Sequence, residues 1–483
     1  MSGRPVLAGL TLAAAFALHG AAPPAGGELL VGWASVDITP DRPVPLAGQF
    51  VTRVSKSVHD PVTATVLALE SRGGADGQAI MVACDLAVIE PQLDAALRQR
   101  VREQLRDFDS AKLFMNATHT HTAPETRDGR YEIPAGVMTP AEYRGFAVER
   151  LAAAAAEAWR NRKPGGVSWA LGHAVVGYNR RASYADGTSR MYGKTDRPDF
   201  RGLEGYEDHG LELLYLWDAQ NKLTGVVVNV ACPSQVLEHQ LYVSADFWHE
   251  VRKLMRERHP GNPFVYPMTG PAGDQSPHFL FRSRAEARLR ERLGVSETEE
   301  MARRIVNAVD AVLPAARKDI RQVVPFVHKV EDVRLPVRMV TAAEADAARQ
   351  ELERLMKLPA SDRSRYVLIN RRKDVMARYE RQSGEPYYTM KLHAIRLGDI
   401  AIATNPFELF LDFGIQIKAR SRAEQTFLVQ LSGAGTYLPT VKAVAGGHYG
   451  AEVASNLVGP EGGQVLVDRT LEAIDSLWKE EKR

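Results

Sequence analysis

Cysteine is nearly absent from this chain: Cys84 and Cys232 are the only two in 483 residues. Two cysteines exclude a disulfide framework, so the fold must rest on a buried apolar core. Neither sign of charge is in excess, with 61 Lys and Arg against 59 Asp and Glu and a formal net charge of +2. That balance, without a basic block, leaves no electrostatic footprint for nucleic acid or for an anionic membrane surface. After the first residues, no unbroken apolar run reaches the length of a membrane helix, which excludes a transmembrane segment there. Internal repeats and low-complexity linkers are also missing, so one domain is simpler than two. What remains, 45% hydrophobic and 25% charged residues, is the composition of an ordinary globular protein with a sizeable core.

The first residues read as a targeting segment. Arg4 precedes an apolar stretch from Val6 to Leu18, then small residues through Gly20, Ala21 and Ala22, and a Pro/Gly stretch to Gly27. This order predicts a secretory signal over residues 1–22, too short to span a membrane. The expected location is secreted or periplasmic, where Cys84 and Cys232 could pair.

From Leu29 onward, strand and helix signals alternate in mixed order, which predicts an α/β fold: a single large domain with mixed β-sheets flanked by helices. Leu29 to Asp37 reads as a strand, and Val62 to Ser71 with Ala79 to Ile89 as a hairpin around the breaker at 73–77. Pro91 to Asp107 and Ala141 to Arg160 have helical spacing, the second stopped at Pro164-Gly165-Gly166. Leu211 to Trp217 and Leu223 to Ala231 form a second hairpin pattern around Asn221, followed by a helix over Phe247 to Arg258. Ser296 with Glu299, and Thr341 with Glu344, have the spacing of capping boxes. Lys391 to Thr404 and Thr426 to Leu431 read as strands, and Gln464 to Glu480 as a closing helix.

Polar groups at the ends of these strands are the candidates for chemistry. After Leu113-Phe114-Met115 come His119 and His121, two residues apart; on a strand both rings would share one face, half of an imidazole site that suits zinc. Read alone, one or both rings could simply hydrogen-bond backbone at a strand end. Arg180 follows a strand signal and could hold a carbonyl or carboxylate by a forked pair of hydrogen bonds, or lie solvated on the surface. Cys232 and His239 are both able to ligate zinc, against the plainer readings of a small buried hydrophobe and a surface loop histidine. Gly270 and Gly273 would let backbone approach a ligand and turn free N–H groups to an anion, with Ser276 beyond them as a nucleophile or orienting residue. Glu408, behind the strand signal at 400–404, could be a ligand, an acid or base, or a surface carboxylate; Tyr437 and Tyr449 could be core residues with a hydrogen-bonded hydroxyl.

In this order and spacing the set resembles the catalytic domain of the neutral/alkaline ceramidases, across residues 28–483. The resemblance is carried by Val31-Gly32 to Thr39-Pro40, Thr118-His119-Thr120-His121, Asn179-Arg180, Gly273-Asp274-Gln275-Ser276-Pro277, the strand end at Glu408 and the segment Tyr437 to Tyr449. It implies an amidohydrolase cutting the N-acyl bond of a ceramide-like lipid amide, with one zinc ion held by two histidines, a glutamate and a tyrosine. His119, Glu408 and Tyr437 then fall at ligand positions and Ser276 at the nucleophile position. His121, Arg180 and Tyr449 fall where the family surrounds the metal and grips the scissile amide. The chain departs from the family where a second histidine ligand is expected: it reads Cys232-Pro233-Ser234 instead, which leaves Cys232 or His239 as the remaining ligand. It also ends at Arg483, without room for the C-terminal β-sandwich the resemblance implies. A hydrolase of a different amide or ester on the same site, and a non-catalytic binding protein with a degraded metal site, are the alternative functions.

Overall fold

Strand runs such as Gln78–Cys84 and Gly210–Asp218 are apolar at nearly every position, because each strand is covered on both faces. Ile80, Val82 and Cys84 face a helical layer, while Ala79, Met81 and Ala83 face a second sheet. A computed structural model of the chain describes residues 26–73, 77–359 and 361–479. The segment read as a signal, 1–22, and the middle of the breaker at 73–77 lie outside the described residues.

The larger sheet has nine strands in the order Phe264–Thr269, Leu223–Val230, Gly210–Asp218, Lys163–His173, Gly27–Asp37, Thr63–Arg72, Gln78–Cys84 and Leu113–Ala117, with Val323–Val324 also pairing with Gly27–Asp37. Its outermost strands run parallel to their neighbours and the pairs between run antiparallel. The sheet curls until these two edge strands meet. Asn116 joins them, its Nδ2 donating to Pro267 O at 3.0 Å and its Oδ1 accepting from Tyr266 OH at 2.8 Å. The segments that follow Ala117 and Thr269 therefore emerge side by side.

A second sheet of Phe326–Pro336, Tyr387–Leu397, Ile400–Thr404 and Gln425–Val429 packs on the first through Leu67, Met81, Leu214, Tyr266, Ile402 and Phe427. Helices Pro91–Gln104 and Pro140–Arg160 cover one part of the outer face of the large sheet, and Phe247–Arg258 with Glu297–Ala316 another. Pro460–Ser476 and Leu411–Arg420 cover the second sheet. The result is mixed α/β, sheets inside and helices outside. The Ser296/Glu299 and Thr341/Glu344 capping boxes both form, and Thr139 with Glu142 forms another.

Some boundaries differ from the sequence reading. Pro164-Gly165-Gly166 does not merely stop a helix but lies inside strand Lys163–His173, where a Cβ on Gly165 would come within 2.5 Å of Trp217 O. The run Lys391 to Thr404 is two strands, folded at Gly398, whose φ of +62 and closeness to the Trp169 ring suit glycine. Cys84 and Cys232, which an oxidising compartment could pair, are not bridged: both thiols are free and buried, in different apolar clusters.

Candidate active site

His119 lies two residues beyond its strand, which stops at Ala117. The two rings thus do not share a face through strand alternation, as the spacing suggested. The chain instead turns at His119, in the left-handed region at φ +64, a conformation rare for a residue with a Cβ and found where structure over-determines it. Here His119 N donates to Leu86 O at 2.9 Å, and Nδ1 meets Ala87 O at 2.6 Å. Nδ1 must carry a proton to donate to a carbonyl, which points Nε2 at Glu408 and His121. The His121 ring is 4.9 Å from the His119 ring and packs on Gly48, where a Cβ would come within 2.2 Å of it.

Glu408 and Tyr437, far apart in sequence, are register partners in a two-stranded parallel pair, Glu408–Leu409 with Tyr437–Leu438. Gly273 presses on this pair: a Cβ there would lie 2.3 Å from Glu408 O. The N–H groups of Gly270 and Gly273 are both taken by backbone carbonyls, Val230 O and Leu409 O, so this loop braces the Glu408 strand and offers those donors to no anion.

Arg180 is buried between strands Tyr178–Asn179 and Arg181–Tyr184. Its Nη2 donates to Gly273 O at 2.9 Å and Tyr437 OH at 3.3 Å, and its Nη1 to Tyr192 OH at 3.0 Å and Gln235 Oε1 at 3.3 Å. Its Nε is buried without a partner among the described residues. Tyr449 OH lies 3.5 Å from Tyr437 OH, with the two rings edge to face. His121, Arg180, Tyr437 and Tyr449, together with Phe50 and Glu238, line a cavity of about 560 Å³.

The ionisation states follow from this packing. Burial pushes the Glu408 carboxyl up, but His119 and Arg180 beside it outweigh that and bring it down to about 2. Burial takes His121 down to about 4, against the pull of Glu238, so the ring is neutral at pH 7. Glu238 is itself pushed up by burial and drawn further down by His121 and His278, which leaves it ionised. Burial and then the Glu408 charge raise the Tyr437 phenol well above its ordinary value.

The structure does not bring Cys232 or His239 to this cluster. Cys232 is fully buried, its thiol donating to Val176 O at 3.2 Å, and burial raises its pKa well above the usual thiol range. His239 has a side chain 76% exposed at the cavity mouth. Gln235, three residues past Cys232, occupies the inner position: its Nε2 is 2.9 Å from His121 Nε2. Ser276 is fully buried, its Oγ accepting from His278 N at 3.0 Å and 3.2 Å from Tyr192 OH. Among the described residues no imidazole nitrogen or carboxylate is hydrogen-bonded to that hydroxyl.

Sequence reading missed Gln235, Glu238, Tyr192 and His278. Glu238 Oε2 meets His121 Nδ1 at 3.1 Å, and Oε1 lies 3.3 Å from His278 Nε2, close enough to attract it though not aligned as a hydrogen bond. The signal available was Glu238 itself, a carboxylate in the loop between strands Leu223–Val230 and Tyr242–Val243.

The donor set suits zinc in kind: imidazole nitrogens, a carboxylate and a phenol. His119 Nε2 is 3.4 Å from Glu408 Oε2 and 3.4 Å from His121 Nε2. Ligand atoms bound tetrahedrally at zinc distances stand roughly 3.3–3.4 Å from one another. Two such edges therefore meet at His119, although among the described residues no three His, Cys, Asp or Glu side chains close into a full metal group.

No protein-family model and no curated protein matches the sequence. Solved structures match in fold. The neutral ceramidase from Pseudomonas aeruginosa superposes with a TM-score of 0.67 at 15% identity, over 95% of this chain and 76% of that one. A ceramidase complexed with C2 superposes with a TM-score of 0.65 at 14% identity, over 93% of this chain and 75% of the other. The chain has the fold of the neutral ceramidases.

Proposed function

We propose that the chain hydrolyses an N-acyl amide of lipid character, ceramide-like or related, in the cavity beside His119 and Glu408. One observation carries the reading: on a ceramidase fold, a neutral His121 and an Arg180 held at four acceptors line one pocket, with an ionised Glu408 beside both. His119, Glu408 and Tyr437, with His121 at the adjoining edge, would hold one zinc ion. Such an ion supplies a polarised amide carbonyl and a more acidic water.

The side chains account for the remaining steps. Arg180 and Tyr449, which line the cavity, are donors for the oxygen that gains charge as the amide is attacked. Water is the better nucleophile, because Ser276 has no base to take its proton; Ser276 instead fixes Tyr192, which in turn holds Arg180. His121 makes a poor proton carrier, with Nδ1 on Glu238 and Nε2 on Gln235. His278 is better placed. It lines the cavity beside Glu238, whose carboxylate outweighs the effect of burial and raises the ring's pKa, so it can hold a proton for the leaving amine.

Release of fatty acid from ceramides and from simpler N-acyl amines tests this. Arg180→Met should lower turnover roughly 10²–10³-fold and His278→Ala roughly 10²-fold or more, whereas Ser276→Ala should keep most of it. Activity that survives Arg180→Met, or vanishes only in Ser276→Ala, overturns the assignment. An ester or a different amide hydrolysed instead by the same residues moves the substrate and keeps the site.

A further inference from the structure

Five residues beyond His278, at the cavity rim, the chain forms helix Ser283–Leu293, none of whose residues is buried. Eleven ordered residues with no buried face are unusual for a helix that carries leucines, since tertiary burial normally supplies helix stability. Leu289 is 43% exposed and Leu293 47%, four residues apart and so on one stripe; Phe281, 43% exposed, stands just before the helix.

The neighbouring stripe is Arg284, Arg288 and Arg292, again four apart and exposed. None of the three has an ion-pair partner among the described residues. Toward the body, Arg290 pairs with Glu297 at 3.1 Å and Glu286 with Arg304 at 2.9 Å, and these contacts set how the helix is rotated. Glu291 is the single exposed carboxylate on the helix. The balanced charge of the whole chain averages this basic patch away.

We propose that helix Ser283–Leu293, with Phe281, docks the protein on an anionic lipid surface. An amphipathic helix with Leu and Phe on one stripe and Arg on the next lies in the plane of a bilayer interface, apolar side down and cations at the headgroups. The unpaired arginines are complementary to anionic headgroups and would repel a second copy of the same patch. Docking here sets the mouth marked by His278 close to the membrane, where a lipid amide partitions. That purpose rests on the proposed hydrolase reading; the binding itself does not.

Cosedimentation of the protein with phosphatidylcholine vesicles, with and without phosphatidylserine, tests the inference. Binding should require phosphatidylserine and weaken with added salt. Arg284→Glu with Arg288→Glu should weaken it about tenfold or more, and so should Leu289→Ser with Leu293→Ser. Because the helix buries none of its residues, both variants should melt as the parent does, which separates lost docking from lost folding. Absence of binding, equal binding to both vesicles, or binding unchanged in the variants overturns the proposal. So does a concentration-dependent dimer abolished by the same substitutions. Docking without amide hydrolysis leaves the helix assignment standing and the hydrolase reading fallen; hydrolysis without docking does the reverse.

Discussion

His119 shows how a single residue is prepared for chemistry. A left-handed backbone and a carbonyl on Nδ1 aim its Nε2 at Glu408 and His121. Protein purified without chelator should hold about one zinc per chain, lost in His119→Ala; elemental analysis decides, and a metal-free parent or a fully loaded variant refutes it. Gln235→His would place a further imidazole beside His121 and should slow zinc loss to a chelator. Arg181, the residue after Arg180, is fully buried, paired with Glu204 at 2.6 Å and bonded to the carbonyls of Gly447 and Tyr449. Arg181→Leu leaves Glu204 unpaired and should lower unfolding free energy by about 3–5 kcal/mol in urea titration; a loss under about 1 kcal/mol would show the pair to be dispensable.

Among the elements, helix Phe247–Arg258 is tied to the site by its cap. Asp246 accepts from Phe247 N at 2.8 Å and, through its other oxygen, from Leu237 N at 2.8 Å, next to Glu238. Burial raises its pKa to about 6, against the lowering effect of those backbone donors. A carboxyl whose folded pKa lies above its unfolded value binds its proton more tightly when folded. Its contribution is therefore complete below about pH 4, falls as pH rises to about 6, and is flat beyond. The change is roughly 3 kcal/mol. Denaturation between those pH values should show this slope in the parent and lack it in Asp246→Asn; parallel slopes would sink the idea.

At the scale of the molecule, the site exists because two sheets and the ends of a curled sheet meet. His119 follows one edge strand, Ser276 lies beyond the other, and Glu408 and Tyr437 come from beside the second sheet. Asn116 clamps the two edges, and Asn229 Nδ2 reaches Leu428 O at 2.8 Å across the sheets. Asn116→Leu would leave Tyr266 OH and Pro267 O buried without partners. It should cost about 2–4 kcal/mol and lower zinc retention in the same variant, because the loops after both edges shift together. A neutral effect on stability would mean the edges are held by packing alone.

Periodicity and punctuation in the sequence were sufficient for much of this. Capping boxes at Ser296 and Thr341, the helix Phe247–Arg258 and the hairpin around Asn221 are local, decided by residues within a few positions of one another. The ordered motifs also marked His119, His121, Arg180, Glu408, Tyr437 and Tyr449, which the fold gathers at one cavity or beside it. Only the tertiary structure could place Cys232 away from the cluster, Gln235 within it, and His278 beside Glu238. Those outcomes depend on which way a loop turns after its strand and on what burial does to a thiol or an imidazole. Both are set by groups distant in sequence, and no local pattern encodes them.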